Sequence, residues 1–406
     1  MVVWVQNPFD SLPGEGSRKM RFWLMCEAFA RAGHRVTFWT SDFSHATKAP
    51  RRFVGNPSDG AAFDVRLIPT RPYARNVSWA RVRSHGTYAR AWRRLATVPG
   101  VEAPDLIVSS VPTLSAADAA LALGRHFGAK VVLDVMDAWP ETFERLAPRG
   151  LRPLAHALLT PLRRKARRLY RAADLVTGVC ARYRELTGRS DYYLAYHGIE
   201  MGSCALSRPS RSSRLPCPNP GVPQAPIRLV YAGNLGQTYD LATVVAAVQA
   251  HPELELDVAG FGAFACACPR VRVHGLLSEA ALQKLLAAAD VGVIPMAADS
   301  WVGVPYKFCD YARAGLVIVS SLGGESTALL EHYRCGVAYR AGDADSFADA
   351  VRRAATLARG ASRRMCEEVF DATRIYDAYV RRACCGIICG MEKFATETCT
   401  LEKPVF

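Results

Sequence analysis

Lys307 and Asp310 stand three residues apart in the stretch Val304–Gly315, which reads Val-Pro-Tyr-Lys-Phe-Cys-Asp-Tyr-Ala-Arg-Ala-Gly. That spacing is close to one helical turn, so an ammonium and a carboxylate share one helix face. A helix is expected because the stretch opens after Pro305 and closes at Gly315. Two readings stand side by side. One is an ordinary surface ion pair. The other is ligand chemistry, in which the lysine neutralises a phosphate and the carboxylate accepts hydrogen bonds from ribose hydroxyls.

The surrounding elements favour a ligand edge. A strand, Leu316–Ser320, follows, and then the loop Gly323-Gly324-Glu325. Both halves of the chain open with a strand, a glycine-bearing loop and a helix. In the first half Val5 leads to Gly14-Glu-Gly16-Ser17 and a helix from Arg18. In the second, Leu229 leads to Gly233-Asn234-Leu-Gly236 and a helix from about Asp240. Glycine lets backbone approach a ligand, and a helix N-terminus presents N–H groups and a positive dipole end to an anion. Neither loop reads Gly-x-Gly-x-x-Gly or ends in Gly-Lys-Ser/Thr, which counts against nicotinamide enzymes and P-loop ATPases. Gly233–Gly236, Lys307, Asp310 and Gly323–Gly324 all fall at or near carboxyl ends of predicted parallel strands, the edge where open α/β sheets bind ligands. A diphosphate on the glycine loop, a lysine beside it and a carboxylate on ribose make one nucleotide site.

Strands positioned this way must be buried on both faces. The candidates Val2–Val5, Arg35–Trp39, Asp64–Ile68, Asp105–Ser109, Lys130–Val135 and Asp174–Val179 are near-continuous apolar runs. Between them lie helical patterns at Ser17–Ala32, Leu114–Phe127 and Leu154–Ala172. The rhythm breaks over 202–226, rich in Pro, Ser and Arg, and restarts with strands at Ile227–Ala232, Leu254–Ala259, Val271–His274, Val291–Pro295, Leu316–Ser320 and Gly336–Tyr339. At 406 residues the chain exceeds one typical core. The expected fold is α/β: two Rossmann-like, doubly wound parallel-sheet domains over 1–201 and 227–360, joined by a linker at 202–226. A helix at 361–383 is expected to cross back to the first domain, ahead of a cysteine-containing tail at 384–406. Asp343-Ala-Asp345 resembles a metal-binding Asp-x-Asp, but its place after a glycine and before a helix makes Asp345 an N-cap candidate.

Charge narrows the partners. Against 37 Asp+Glu stand 51 Lys+Arg, a net of +14, which favours anionic partners. The segment Leu151–Ala173 carries Arg152, Arg163, Arg164, Lys165, Arg167, Arg168 and Arg171 without an acid, and Leu154, Leu158, Leu159, Leu162 and Leu169 supply an apolar face. Such a helix either lies on an anionic membrane or is a solvated basic face. Arg81, Arg83, Arg90, Arg93 and Arg94 add to the first reading. No nucleic-acid module is apparent, so nucleic acid is not an expected partner. The first residues lack a signal-peptide pattern, no apolar run reaches the ~20 residues of a spanning helix, and thirteen scattered cysteines suit a reduced compartment. A cytoplasmic protein, peripheral on the inner membrane face, is the expectation.

The second half resembles the nucleotide-sugar domain of the GT-B glycosyltransferases, in particular the retaining family-four group. The matching pieces in order are Tyr231-Ala-Gly-Asn-Leu-Gly236, Val258-Ala-Gly-Phe-Gly262, Val273-His-Gly275, Ala289-Asp-Val-Gly-Val-Ile-Pro295, the Pro-x-Lys…Asp310 stretch and Gly336…Gly342-Asp343. The first half adds Ala32-Gly-His-Arg-Val-Thr37, Asp137-Ala-Trp-Pro-Glu141 and His197-Gly-Ile199. The resemblance implies a GT-B fold with a cleft between the domains and transfer of a sugar from a nucleoside diphosphate, UDP first among them, to an acceptor hydroxyl. It implies retention of configuration, no metal or other cofactor, and a glycan or lipid-linked acceptor in polysaccharide or glycolipid synthesis. Asp310 would bind the ribose, Lys307 would face the diphosphate, and Gly233, Asn234 and Gly236 would form its loop. Gly323, Gly324 and Glu325 would meet the donor sugar. Gly14 and Gly16 would line the acceptor side, and Asp137 would lie near the reacting sugar, so Lys307 and Asp137 are the catalytic candidates.

Two departures keep rivals in view. The common Glu-x7-Glu pattern has its first acid at the position of Val302, and the second is here the shorter Asp310. Variants with Pro-x-Lys commonly lack that first acid, which suits a subgroup. The alternatives are a GT-B nucleotide-sugar epimerase and a non-catalytic nucleotide-binding partner.

Overall fold

A computed structural model describes residues 1–15, 18–52, 55–145, 147–201, 226–236 and 238–388. Residues 202–225 of the linker expected at 202–226, Gly16 and the tail beyond Ile388 lie outside the described residues. The chain divides into two units, one of Met1–Gly198 with the chain from Thr373, the other of Ile199–Ala372.

The first unit holds a seven-stranded parallel sheet: β1 (Val2–Gln6), β2 (Arg35–Ser41), β3 (Asp64–Ile68), β4 (Leu106–Val111), β5 (Lys130–Val135), β6 (Leu175–Gly178) and β7 (Tyr193–Leu194), in the order β3-β2-β1-β4-β5-β6-β7. The second unit holds β8 (Ile227–Asn234), β9 (Leu254–Phe261), β10 (Val271–Gly275), β11 (Val291–Ile294), β12 (Val317–Ser320) and β13 (Gly336–Ala338), in the order β10-β9-β8-β11-β12-β13. Each is a doubly wound sheet whose strand order reverses beside its first strand, the place where such folds open a ligand crevice. Burial explains why these segments became strands. β1 and β4 are buried at every position, and the β-branched residues of β11 and β12 pack from both faces.

The first unit also buries a charge pair. Arg21, at the start of the helix Arg21–Arg31, donates two hydrogen bonds to Asp134 of β5 at 2.7 and 2.9 Å, and neither side chain is exposed. Its remaining nitrogen donates to the carbonyls of Ala195 and Tyr196. The guanidinium lies 5.6 Å from the Tyr376 ring, and Thr177 donates to Asp134 at 2.6 Å and meets the Tyr379 hydroxyl at 3.2 Å. The terminal helix Ala372–Ile388 is thereby fastened to the sheet of the first unit.

Three details differ from the sequence expectation. The single helix expected over 361–383 is a helix at Ala361–Met365, a wide turn at Cys366–Phe370 and a second helix from Ala372. The break arises because Ile199 takes the Phe370 carbonyl and gives its own to Ala372, which pulls the backbone at Asp371 out of the helical ladder. That second helix runs on through Ile388, so Cys384 is a buried helical thiol, pushed up to about 11 by burial, and not the start of a tail. The cap of the helix Ala344–Ala354 is Asp343, which accepts from Ser346 N at 2.9 Å; Asp345 sits inside the first turn.

Candidate functional site

The carboxyl edge of the second sheet is shaped by missing side chains. In the parallel pair β8–β9, Gly233 lies opposite Gly260, with φ of +139° and +146°. A Cβ on Gly260 would run into the Gly233 carbonyl, and one on Gly233 would run into Lys307 Nζ. Glycine at both positions is what lets the strands and the lysine converge. Past Gly233 the chain turns at once: Asn234 Oδ1 accepts from Gly236 N at 2.8 Å, and Leu235 N donates to the Phe261 carbonyl at 2.9 Å.

Lys307 enters from the helix Tyr306–Arg313, which Pro305 precedes. Only 7% of Lys307 is exposed, and its Nζ sits 3.9 Å from the Tyr239 ring centroid and 4.9 Å from that of Tyr231. Among the described residues it has no carboxylate within ion-pair distance, Asp310 included, so the surface-ion-pair reading does not hold. Two tyrosine faces stabilise such a cation by about 1–2 kcal/mol, which offsets only part of what a buried ammonium loses in leaving water. The remaining demand is for an anion. Tyr311, one residue beyond Asp310, holds the floor of the site: its hydroxyl accepts from Ala232 N at 3.0 Å and donates to the Val293 carbonyl at 3.3 Å.

The loop after β12 joins the same edge. Ser321 donates to the Met296 carbonyl at 2.7 Å, Met296 pairs with Tyr239, and Tyr239 faces Lys307. Gly323 and Gly324 are exposed, and the helix Glu325–His332 that follows starts without a side-chain cap. The structure thus gathers Gly233, Asn234, Gly236, Lys307, Gly323, Gly324 and Glu325 at one edge. Asp310 sits half-exposed on the lysine's helix, near enough to the Cys366 thiol for its charge to help raise that group. The Gly236 N–H already donates to its neighbour's side chain, so an anion would compete with Asn234 for it.

The first unit's carboxyl edge carries Gly14 and Asp137, and it is crowded. Gly14 turns at φ +91° with open space beside it. Glu15 closes that loop by accepting from Leu12 N at 2.8 Å, and Arg51 reaches across to the Asp10 carbonyl at 2.7 Å. Asp10 accepts from Phe22 N at the head of the helix Arg21–Arg31, and burial raises its carboxyl to about 6. Asp137 spends its oxygens locally, on Ala138 N at 2.8 Å, Trp139 Nε1 at 3.0 Å and Thr142 Oγ1 at 3.3 Å. Burial raises its carboxyl as well. In this geometry it orients the Trp139 ring.

Around Trp139 stands a cluster that sequence reading missed. The Arg81 guanidinium lies 4.6 Å from the Trp139 ring, 5.3 Å from Phe9 and 5.8 Å from Tyr73. The His85 ring is 5.5 Å from Phe9 and 5.8 Å from Trp139. Lys48 lies 5.1 Å from the Tyr73 ring and near His45. Burial first, then the nearby cations, pushes His45 and His85 down to about 3, so both are neutral at physiological pH. Arg81, which the sequence placed with the membrane-facing arginines, is turned into this cluster. Only the Trp in Asp137-Ala-Trp-Pro-Glu141 signalled it; the other members are spread over the first half with no local pattern.

Residues 19–193 match the family described as Glycosyl transferase 4-like domain, and residues 226–356 match Glycosyl transferases group 1. No protein with a curated description matches the sequence. Among solved structures the chain is similar to sucrose-phosphate synthase from Thermosynechococcus elongatus, at 16% identity and a TM-score of 0.68 over 94% of this chain and 98% of that one. It is similar to HepE from Anabaena in complex with UDP and glucose, at 13% identity and 0.61 over 95% and 100%. It is also similar to the catalytic domain of starch synthase IV from Arabidopsis thaliana bound to ADP and acarbose, at 13% and 0.55 over 93% and 94%. At such identities the likeness is one of fold, and it agrees with the two doubly wound sheets. With one glycosyltransferase domain matched in each unit, the chain is a glycosyltransferase of the GT-B fold.

Proposed function

We propose that this enzyme moves a sugar from a nucleoside diphosphate to an acceptor hydroxyl with retention of configuration, in the synthesis of a polysaccharide or glycolipid. The observation that carries the reading is Lys307: a buried ammonium on two tyrosine faces, beside a glycine-lined edge, with no carboxylate partner among the described residues. A diphosphate supplies the missing charge. UDP is the first choice because the HepE structure is described with UDP and glucose, while starch synthase IV is described with ADP.

In this reading the bond from the sugar's anomeric carbon to the diphosphate oxygen breaks, a bond to the acceptor oxygen forms, and the acceptor's proton leaves with the diphosphate. Negative charge grows on the departing group, and Lys307 is fixed where that charge appears, the arrangement that lowers such barriers most. No metal ion is required for that role. Asp310 takes the ribose, the Gly236 N–H turns from Asn234 to the diphosphate, and Gly323–Glu325 meet the sugar. Asp137 acts as a positioning residue through Trp139, whose ring face suits the apolar face of an acceptor sugar, with Gly14 on the same side. A lipid-linked acceptor, met at the inner face of a membrane, belongs to this reading.

Calorimetric titration with UDP, ADP, GDP and CDP tests it. One diphosphate should bind, and Lys307→Met should weaken it by about 10- to 100-fold, as loss of a charged hydrogen bond does. Asp310→Ala should weaken the nucleoside diphosphate but leave inorganic pyrophosphate unchanged. Failure of all four nucleotides to bind would remove the transferase reading of the edge. The anomeric coupling constant of the product, read by NMR, decides retention separately.

A further inference from the structure

We infer that the helical layer of the first unit docks on an anionic lipid bilayer, with Leu151, Leu154, Leu158 and Leu162 entering the interface. The layer consists of the helices Trp79–Ala96, Leu114–Phe127 and Arg152–Ala172, which pack side by side. Together they carry thirteen Lys/Arg and a single acid, Asp118, a net of +12 against +14 for the whole chain. Nearly all of the protein's excess charge therefore sits on one layer of one unit. Arg81 and Arg163 are turned inward, the latter onto Glu141 at 3.4 Å; Arg83, Arg90, Arg93, Arg94, Arg164, Arg167, Arg168 and Arg171 are exposed.

The apolar component has a definite position. Along Arg152–Ala172 one stripe runs through Leu151, Leu154, Leu158, Leu162, Ala166 and Leu169 at three- and four-residue spacing. Its last two members are buried against the unit, at 3% and 2% exposure, whereas the four leucines are 44–70% exposed. The same helix face is thus core at one end and bare at the other, which a merely solvated helix has no reason to be. Leucine there costs solubility unless something apolar covers it.

Topology puts further apolar residues at that end. All strands of the sheet are parallel, so the crossover helices Trp79–Ala96 and Arg152–Ala172 both begin at the carboxyl edge. Val77, Trp79 and Val82, at 62%, 82% and 56% exposure, stand at the beginning of the first. A run of contacts joins the two starts: Arg81 on Trp139, Trp139 on Phe143 at 4.4 Å, and Glu144 on His156 at 2.6 Å. Of the eleven exposed large hydrophobic residues among those described, seven lie at this tip. A tryptophan, valines and leucines at the tip with arginines ranged behind them match a headgroup boundary, where apolar side chains enter and guanidinium groups hold lipid phosphates. No described helix is long and apolar enough to cross the membrane, so the contact is peripheral.

Docking this way brings the edge of Gly14, Asp137 and Trp139 to the bilayer, where a lipid-linked acceptor would present its sugar. That purpose rests on the proposed function; the docking does not. The test is flotation of the full chain with vesicles of phosphatidylcholine alone or mixed with phosphatidylglycerol, alongside Leu154→Asp/Leu158→Asp and Arg164→Glu/Arg168→Glu. Wild type should float with the mixed vesicles and not with the neutral ones. The leucine variant should lose at least about tenfold in affinity with its melting temperature and UDP binding intact, since both residues are exposed. The arginine variant should bind more weakly and with a shallower salt dependence. Wild type that floats with neither vesicle, or a leucine variant that floats like wild type, overturns the proposal. So does a leucine variant that turns a wild-type dimer into a monomer, because a second copy would then be what covers the stripe. Vesicle binding without any nucleotide binding keeps the docking and removes the transferase reading; nucleotide binding without flotation does the reverse.

Discussion

The two sheets share one strand order and do opposite things at their carboxyl edges. In the second unit, glycines at 233 and 260 clear the edge and one lysine fills it, held on tyrosine rings. In the first, the edge is packed with the rings of Phe9, Tyr73 and Trp139, two neutral histidines and the inward-turned Arg81. A bare edge with an unneutralised cation suits a flexible polyanion that must be approached by backbone. A ring-lined edge suits a rigid, partly apolar face such as a sugar's. The interiors differ too: the first unit buries the Arg21–Asp134 pair with neither side chain exposed, whereas the Asp257–Arg272 pair of the second unit leaves its arginine 44% exposed. The same scaffold therefore sets a fully buried ion pair in the core of one unit and a buried lysine without a carboxylate partner at the rim of the other.

The largest effect should come from the core side of that comparison. Asp134→Ala leaves Arg21 charged and buried, which costs about 3–5 kcal/mol. Chemical denaturation should show the loss confined to the first unit, with UDP binding by the remaining folded protein unchanged. Asp134→Leu with Arg21→Met should recover most of it, because an apolar pair of similar volume removes the stranded charge. Next comes Gly260→Ala. The new methyl meets the Gly233 carbonyl in a backbone conformation that suits only glycine, for roughly 3 kcal/mol of strain and displacement. Here nucleotide affinity should fall together with stability, since β8 and β9 must part where Lys307 rests.

How much of this was readable beforehand follows from range. Every strand expected from apolar runs is in place: burial on both faces writes itself into consecutive residues of the inner strands, while the edge strand Val271–Gly275 is exposed beyond Val271. Among the described residues, the two-residue strands left no pattern: β7 and the small antiparallel pair Phe43–Ser44 and Ala49–Pro50. The Lys307–Gly233 approach was half legible: glycine and lysine types pointed to this sheet edge, but the tyrosine seat that holds the ammonium depends on Tyr231 and Tyr239 meeting across a turn. The aromatic cluster of the first unit was not legible, because its members lie on separate loops and on the helix Trp79–Ala96, which only the sheet order brings together. The cap at Asp343 was missed by two residues, since either aspartate satisfies the local pattern and only the backbone at the helix start decides. Breaking the helix at Asp371 needed a partner far away in sequence, Ile199, that no periodicity reveals.

A third experiment separates the edges by pH. Asp10 is buried at the first unit's edge, and burial raises its carboxyl from 3.8 to about 6. A raised folded-state value means the proton is held more tightly in the native protein. The associated stability is complete below about pH 4 and is lost as pH climbs through 6. Asp10→Asn cannot ionise and can still accept from Phe22 N, so it should match wild type near pH 4 and exceed it by about 2 kcal/mol at pH 8. Urea midpoints at the two pH values check this. An advantage that is the same at both would mean the carboxyl does not change charge in that range.

The smallest effect should be the most discriminating, because it repeats one substitution on the opposite edge. Gly14 also has a positive φ, +91°, but a Cβ there meets nothing within 4 Å. Gly14→Ala should therefore cost only the backbone term, about 1 kcal/mol, against roughly 3 for Gly260→Ala. UDP affinity should not move, whereas transfer to an acceptor should slow if the Gly14 loop borders the acceptor. Equal losses from the two alanines would mean that the glycines serve turn geometry alike, and that the second edge is not cleared for a ligand at all. Unequal losses in the stated direction would tie the difference between the edges to the space that Gly233 and Gly260 leave around Lys307.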